Sequence, residues 1–106
     1  MSCPDTFTSR ECRQYTFAMN ENEWVAQLKR EGFGHTYVWQ DAPGTRYQNH
    51  THGMDTAHVI FSGDMTLTMN DESKTYKVGE RCDVPANVVH SALMGPHGCR
   101  YLIGER

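Results

Sequence analysis

The chain has 106 residues, which limits it to one small domain with a single hydrophobic core and excludes a two-domain enzyme. Hydrophobic residues make up 38% and charged residues 22%, so the composition is that of a globular protein rather than a disordered one. The net charge is -3 and the sequence has no basic stripe and no long apolar run. We therefore expect neither nucleic acid nor a membrane as a partner.

Residues 1–34 are predicted to form an N-terminal arm, a strand and a helix. The first residues lack the basic and apolar regions of a secretory signal, so we expect a cytoplasmic protein whose four cysteines are reduced, buried thiols. Alternation from Arg13 to Met19 predicts a strand with one buried face. Asn20 and Glu23 have the spacing of a capping box, and Gly32 is expected to end the helix that begins there.

The rest of the chain, residues 35–106, shows short alternating segments separated by turn residues. Turns recur at roughly ten-residue spacing, which is typical of an all-β sandwich or barrel. Glycine-containing turns at 63–64 and 95–98 are expected to interrupt apolar runs. The expected strands cover residues 35–40, 46–52, 56–62, 65–70, 75–78, 81–84, 88–93 and 100–103.

Six histidines raise the question of a metal site. His50 and His52 stand two apart on a predicted strand, where alternate side chains share a face, so both imidazoles can bind one ion. An isolated pair of this kind more often lies at a solvated strand end. The residues around the pair must therefore show whether it binds a metal. His35 and His97 are expected to lie on the surface.

Glycine, histidine and proline recur at fixed spacings in two segments of the chain. The positions are Gly44, His50, His52, Thr56 and Gly63 in the first segment, and Gly79, Pro85, Asn87 and His90 in the second. These spacings resemble the two sequence motifs of the cupin superfamily. The resemblance covers roughly residues 35 to 103 and implies a double-stranded β-helix, the cupin jelly-roll barrel, behind the short N-terminal helix.

The same resemblance implies a metal centre. It places His50, His52 and His90 at the three histidine ligand positions for a divalent transition metal. Fe, Zn, Mn, Ni and Cu all accept imidazole ligands, so the identity of the metal stays open. Thr56 stands where the family usually has a glutamate ligand, and its neutral hydroxyl is a poor ligand for such an ion.

The missing glutamate leaves three alternatives. In the first, three histidines hold the metal alone, and water or substrate fills the other positions. In the second, Asp55 from the adjoining loop or His58 from the following strand completes the coordination. His58 could instead orient a ligand by a hydrogen bond, or be an ordinary interior histidine. In the third, the barrel binds an organic molecule without metal.

Three neutral imidazoles leave the metal its full charge and open positions, which favours a small anionic or chelating molecule. The chemistry could then be that of a cupin-type dioxygenase or of a redox-silent Lewis acid. The competing hypotheses are a non-catalytic binding or sensing module and a metal-independent isomerase or cyclase with a histidine base. No catalytic residue is assigned. We also expect a homodimer, because a jelly roll keeps open edge strands and similar small cupins pair through them.

Overall fold

The computed structural model describes residues 19–106, which form one helix and six strands joined in an antiparallel sheet. The all-β prediction with a short N-terminal helix is confirmed. The arm and nearly all of the strand expected at residues 13–19 lie outside the described residues. The elements are α1 (Glu21–Arg30), β1 (His35–Asp41), β2 (Arg46–His50), β3 (Thr56–Met69), β4 (Glu72–Lys77), β5 (Arg81–Val84) and β6 (His90–Glu105).

Helix α1 begins and ends where the sequence predicts. The backbone N–H of Glu23 donates to Asn20 Oδ1 and the N–H of Asn20 donates to Glu23 Oε1, both at 2.8 Å, so the capping box is complete. The chain turns away at Gly32. Trp24 and Leu28 are buried on the face toward the sheet. No helix in the described part of the chain is long and apolar enough to cross a bilayer.

The two longest strands, β3 and β6, pair with each other along almost their whole length and bend together. On one side of the bend, residues 56–59 of β3 pair with β5, and residues 99–105 of β6 pair with β1. On the other side, residues 64–69 of β3 and 90–93 of β6 pair with β4 and β2. The result is two half-sheets that share their central strands, as in a jelly roll.

The expected interruptions at 63–64 and 95–98 are wrong, because both strands continue through them. The glycines mark a bend at which three backbones meet. A Cβ on Gly63, which has φ +73°, would lie 2.0 Å from the carbonyl oxygen of Gly98. A Cβ on Gly98, with φ +75°, would lie 2.5 Å from the carbonyl oxygen of Asp41. Glycine therefore permits close packing of the strands rather than ending them.

The buried side chains form one cluster between the half-sheets and another beneath the helix. The N-terminal part of β3 serves both, because alternate side chains face opposite ways: Ala57 and Val59 pack in the helix cluster, and Ile60 packs in the inner one. Cys82 and Cys99 are free thiols in the inner cluster, and burial raises the pKa of both, to about 12 for Cys99. These two cysteines are buried as predicted.

Candidate metal centre

A cavity of about 560 Å³ lies between the half-sheets. We call the part lined by His50, His52 and His90 the histidine end, which lies where β2 ends and β6 begins. We call the part beside Asp41, the last residue of β1, the bend end, because β3 and β6 turn there. Apolar side chains such as Met65 line the wall.

The structure brings the three predicted histidines together. The ring centroids of His50 and His90 are 4.2 Å apart, and the ring of His52 lies 4.8 Å from the first and 4.9 Å from the second. One nitrogen of each ring lies within 4.8 Å of those of the other two. His50 and His90 are register partners across β2 and β6. His52 lies two residues beyond the end of β2, so the expected strand to residue 52 is too long.

Two of the rings are oriented by backbone carbonyls. His50 Nδ1 lies 2.6 Å from the oxygen of Gln48, and His90 Nδ1 lies 2.9 Å from the oxygen of Val88. A carbonyl oxygen only accepts, so each Nδ1 carries the proton and each Nε2 keeps a free lone pair. Metal-bound histidines are commonly oriented in this way.

The loop that precedes β6 is tied to the loop that carries His52. The backbone N–H of Asn87 donates to the carbonyl oxygen of His52 at 2.8 Å. Asn87 has φ +67°, a conformation that asparagine adopts more readily than most residues. This contact helps to hold His52 near His90, although the two are 38 positions apart in the sequence.

The electrostatics of the histidine end favour neutral rings. Burial is the main cause that lowers the pKa of both His52 and His90, and the neighbouring histidine rings lower it further. A neutral imidazole is the form that binds a metal ion. The donor set therefore fits a divalent transition metal.

Thr56 and His58 line the cavity, and each carries one polar atom that is buried from solvent. Their exposed fractions are 3% and 9%, and Thr56 Oγ1 and His58 Nδ1 find no hydrogen bond among residues 19–106. Burial lowers the pKa of His58 to about 4, so this ring is neutral at pH 7. The His58 ring is not part of the group of three. Both atoms lie inside the wall of the cavity, and the backbone of Cys82, the register partner of His58, interacts with the His58 ring.

Asp55 lies apart from the histidines. Its Oδ1 accepts from the backbone N–H of Ala86 at 2.8 Å, and its Oδ2 lies 3.5 Å from Arg106 Nε. The residue lines a second, smaller pocket next to Phe33. In this structure the carboxylate therefore joins the loop before β3 to the end of the chain.

Two carboxylates that the sequence did not point to lie at or beside the cavity. Glu105 lines it and is the register partner of Thr56 across β3 and β6, and its charge acts on His52 by raising that pKa slightly. Only the strand pairing shows that this acid stands beside the position of the missing glutamate. A sequence signal could not have found it, because 49 positions separate the pair.

The second carboxylate is Asp41, which is 8% exposed. Its Oδ1 accepts from Trp39 Nε1 at 3.0 Å and from the hydroxyl of Tyr47 at 2.8 Å, and its Oδ2 accepts from the hydroxyl of Tyr101 at 2.8 Å. Burial, followed by the contact with Asp41, raises the pKa of both tyrosines. No sequence pattern indicated that this acid joins three aromatic side chains.

Comparison with solved structures supports the fold. No protein-family model matches the sequence, and no match is found among curated proteins. A cupin superfamily protein from Desulfitobacterium hafniense DCB-2 matches 66% of this chain and 63% of its own, with a TM-score of 0.60 and 20% identity.

Two enzymes have similar structures. A DMSP lyase from Ruegeria pomeroyi DSS-3 has a TM-score of 0.62 and 19% identity, over 67% of this chain and 36% of its own. An oxalate decarboxylase variant from Bacillus subtilis has a TM-score of 0.61 and 19% identity, over 66% of this chain and 20% of its own. The chain thus spans less than two thirds of each of the three proteins. At this level of identity the likeness concerns the fold alone, a jelly-roll barrel like those of the cupin structures.

Proposed function

We propose that His50, His52 and His90 bind a divalent transition metal and that the cavity holds a small anionic or chelating molecule on that metal. The observation that carries this proposal is the set of three clustered imidazoles, two of which have Nδ1 occupied by a carbonyl oxygen. Their Nε2 lone pairs are free for one ion.

The wall of the cavity suits this role. Met65, Leu67 and Ile103 present apolar surface, which excludes water and strengthens polar contacts inside the cavity. Three neutral ligands would leave the ion its double positive charge. Within the described lining residues, Glu105 carries the one carboxylate, so the site retains a net attraction for anions.

Two classes of reaction are compatible with such a site, Lewis-acid chemistry and reaction with dioxygen. When bound, such a metal supplies Lewis acidity, and iron in addition supports reaction with dioxygen. We propose an oxidoreductase of the cupin dioxygenase type as the enzymatic form of this function. The DMSP lyase and the oxalate decarboxylase are enzymes named for small molecules, which supports a small-molecule ligand here. The alternative is a binding or sensing module with the same site and no reaction.

His58 supports a second candidate, a metal-independent isomerase or cyclase. Its ring lines the cavity, and burial lowers its pKa to about 4, so it is neutral at pH 7. A neutral imidazole of this kind can take a proton from a bound substrate. The histidine trio would then contribute shape and hydrogen bonds rather than metal ligands.

Metal analysis separates these candidates. We expect native mass spectrometry of the purified protein to show one divalent ion per chain, and His50→Ala to lose it. Protein without metal that also fails to take up Co²⁺, Zn²⁺ or Fe²⁺ would overturn the metal proposal. Dioxygen consumption with thiols, diketones and phenols as substrates then distinguishes a dioxygenase from a redox-silent enzyme or a binding module.

A homodimer and a cytoplasmic location complete the proposal. Among residues 19–106, β1 is hydrogen-bonded to a strand on one side only, and Val38 and Trp39 on it are exposed. An edge strand of this kind can pair with a second copy or with a swapped N-terminal segment. Light scattering should give the mass of two chains, and the mass of one chain at high micromolar concentration would contradict the dimer.

A further inference from the structure

We propose that the bend end of the cavity binds a hydrogen-bond donor, a hydroxyl or an ammonium group, on the molecule whose anionic end lies at the histidines. The substrate class would be short hydroxy- or amino-carboxylates. The anionic half of this inference rests on the function proposed above. The donor half rests on the contacts of Asp41, Tyr47 and Tyr101.

The two phenols can only accept hydrogen bonds from a ligand. A phenol has a single O–H proton, and those of Tyr47 and Tyr101 are each donated to Asp41 at 2.8 Å. Both residues line the cavity. The lone pairs that remain on their oxygens can accept a hydrogen bond from a donor on the bound molecule.

The charge of Asp41 strengthens this preference. Trp39 Nε1 also donates to it, and no lysine or arginine pairs with it in the part of the chain that the structure describes. A buried carboxylate without a cation polarises the phenols that donate to it and makes their oxygens better acceptors. The rings of Trp39 and Tyr37 line the cavity nearby, and aromatic faces attract an ammonium group.

The separation between the two ends suits a short molecule. The ring centroid of Tyr47 lies 6.4 Å from that of His50, and the ring centroid of Tyr101 lies 6.0 Å from that of His58. The His58 ring lines the cavity between these groups. The two phenols and the histidines therefore lie within reach of one small ligand.

Three matched carboxylates test the donor subsite. Butyrate, 3-hydroxypropionate and β-alanine have the same chain length and end in a methyl, a hydroxyl and an ammonium group. Each is titrated into Co²⁺-loaded protein, and its affinity is read from the visible spectrum. We expect 3-hydroxypropionate, β-alanine or both to bind about 10-fold tighter than butyrate, as one added hydrogen bond allows. The carboxylate that binds more tightly than butyrate identifies the donor group that the subsite prefers.

Tyr47→Phe keeps the ring and removes the acceptor oxygen. We expect it to reduce the preference over butyrate to about 2-fold or less. Tyr76→Phe, whose phenol lies outside the cavity, is the matched control and should keep the preference. Tyr101→Phe serves as a second variant if Tyr47→Phe does not fold.

Two outcomes would overturn the inference. One is equal affinity of the wild type for all three carboxylates, and the other is an unchanged preference in both Tyr47→Phe and Tyr101→Phe. A failure of Co²⁺ binding would contradict the metal proposal instead. The donor subsite is then tested by saturation-transfer NMR on metal-free protein, where 3-hydroxypropionate or β-alanine should still bind better than butyrate, and equal binding would overturn the subsite.

Discussion

The two ends of the cavity differ in how their polar groups are satisfied. At the bend end, both oxygens of Asp41 accept hydrogen bonds from side chains of the protein itself. At the histidine end, the carbonyl oxygens of Gln48 and Val88 orient His50 and His90 and leave their Nε2 lone pairs free. Free lone pairs on clustered imidazoles are the ligands that a divalent transition metal accepts. The bend end therefore depends for its shape on hydrogen bonds between side chains of the protein, whereas the histidine end offers free ring nitrogens to a ligand.

Gly63→Ala should break the bend end. The new Cβ would lie 2.0 Å from the carbonyl oxygen of Gly98, at a position with φ +73°. We expect a loss of at least about 4 kcal/mol in the free energy of unfolding, measured in denaturant, or failure to fold. Gly34→Ala, with no neighbouring atom within 4 Å, is the control and should change stability by less than about 0.5 kcal/mol. Equal stability of the two variants would contradict the close approach of the backbones.

His90→Ala should break the histidine end. Loss of one direct ligand should weaken metal binding by more than about 100-fold, because even a residue that merely orients a ligand accounts for up to that factor. Metal at 100 times its Kd should stabilise the wild type by about 2.7 kcal/mol and should no longer stabilise the variant. Calorimetric titration and thermal unfolding with and without metal measure both effects.

The exposed His97 provides the control for this variant. His97→Ala should bind metal as the wild type does. If the two alanine variants lose metal equally, or neither loses it, the ion does not bind at the three clustered histidines.

Thr56→Glu should change the charge and the number of open positions at the histidine end. A carboxylate there would lower the charge of the site by one unit and occupy an open position. We expect metal binding at least as tight as in the wild type and a loss of about 10-fold in affinity for small anionic chelators, followed by the spectrum of the Co²⁺ form. Thr56→Gln separates the effect of charge from that of size.

The new acid would also face Glu105 across the strands, so some loss of stability is expected. Unchanged affinities for metal and chelators in Thr56→Glu would mean that another residue already fills the position. Asp55→Ala and His58→Ala would then show which residue does so.

Glu31→Gln should leave both ends of the cavity intact and change only the pH dependence of stability. Arg81 donates to both oxygens of Glu31, at 2.9 and 2.7 Å, and these hydrogen bonds lower the pKa of Glu31 from 4.5 to about 2. A lowered pKa stabilises the fold above pH 4.5, and this contribution is lost as the pH falls from 4.5 to 2. Because the pair is partly exposed, we expect less than about 1 kcal/mol.

Denaturant unfolding of wild type and Glu31→Gln at pH 7 and pH 3 measures this contribution. The difference in stability between the two proteins should shrink at the lower pH. A difference that stays constant between the two pH values would contradict the assigned pKa. Metal affinity at pH 7 should be the same in both proteins.

Local sequence determined much of this protein. The capping box of Asn20 and Glu23 lies within one helical turn, so its hydrogen bonds follow from spacing alone. The spacings around His50, His52 and His90 resemble a known motif pair, and through that resemblance the barrel was predicted. The grouping of the three rings agrees with that prediction. These features depend on short-range geometry or on a pattern shared with other proteins.

Only the tertiary structure decided the rest. A glycine in an apolar run usually predicts the end of a strand, but the strand continues through Gly63 and bends there. The atom that leaves no room for a side chain at Gly63 belongs to Gly98, which is distant in the sequence. Glu105 stands beside Thr56, and Tyr101 donates to Asp41, through pairings between residues 49 and 60 positions apart. Strand register sets which distant residues become neighbours, and register follows from packing of the whole sheet rather than from any local segment.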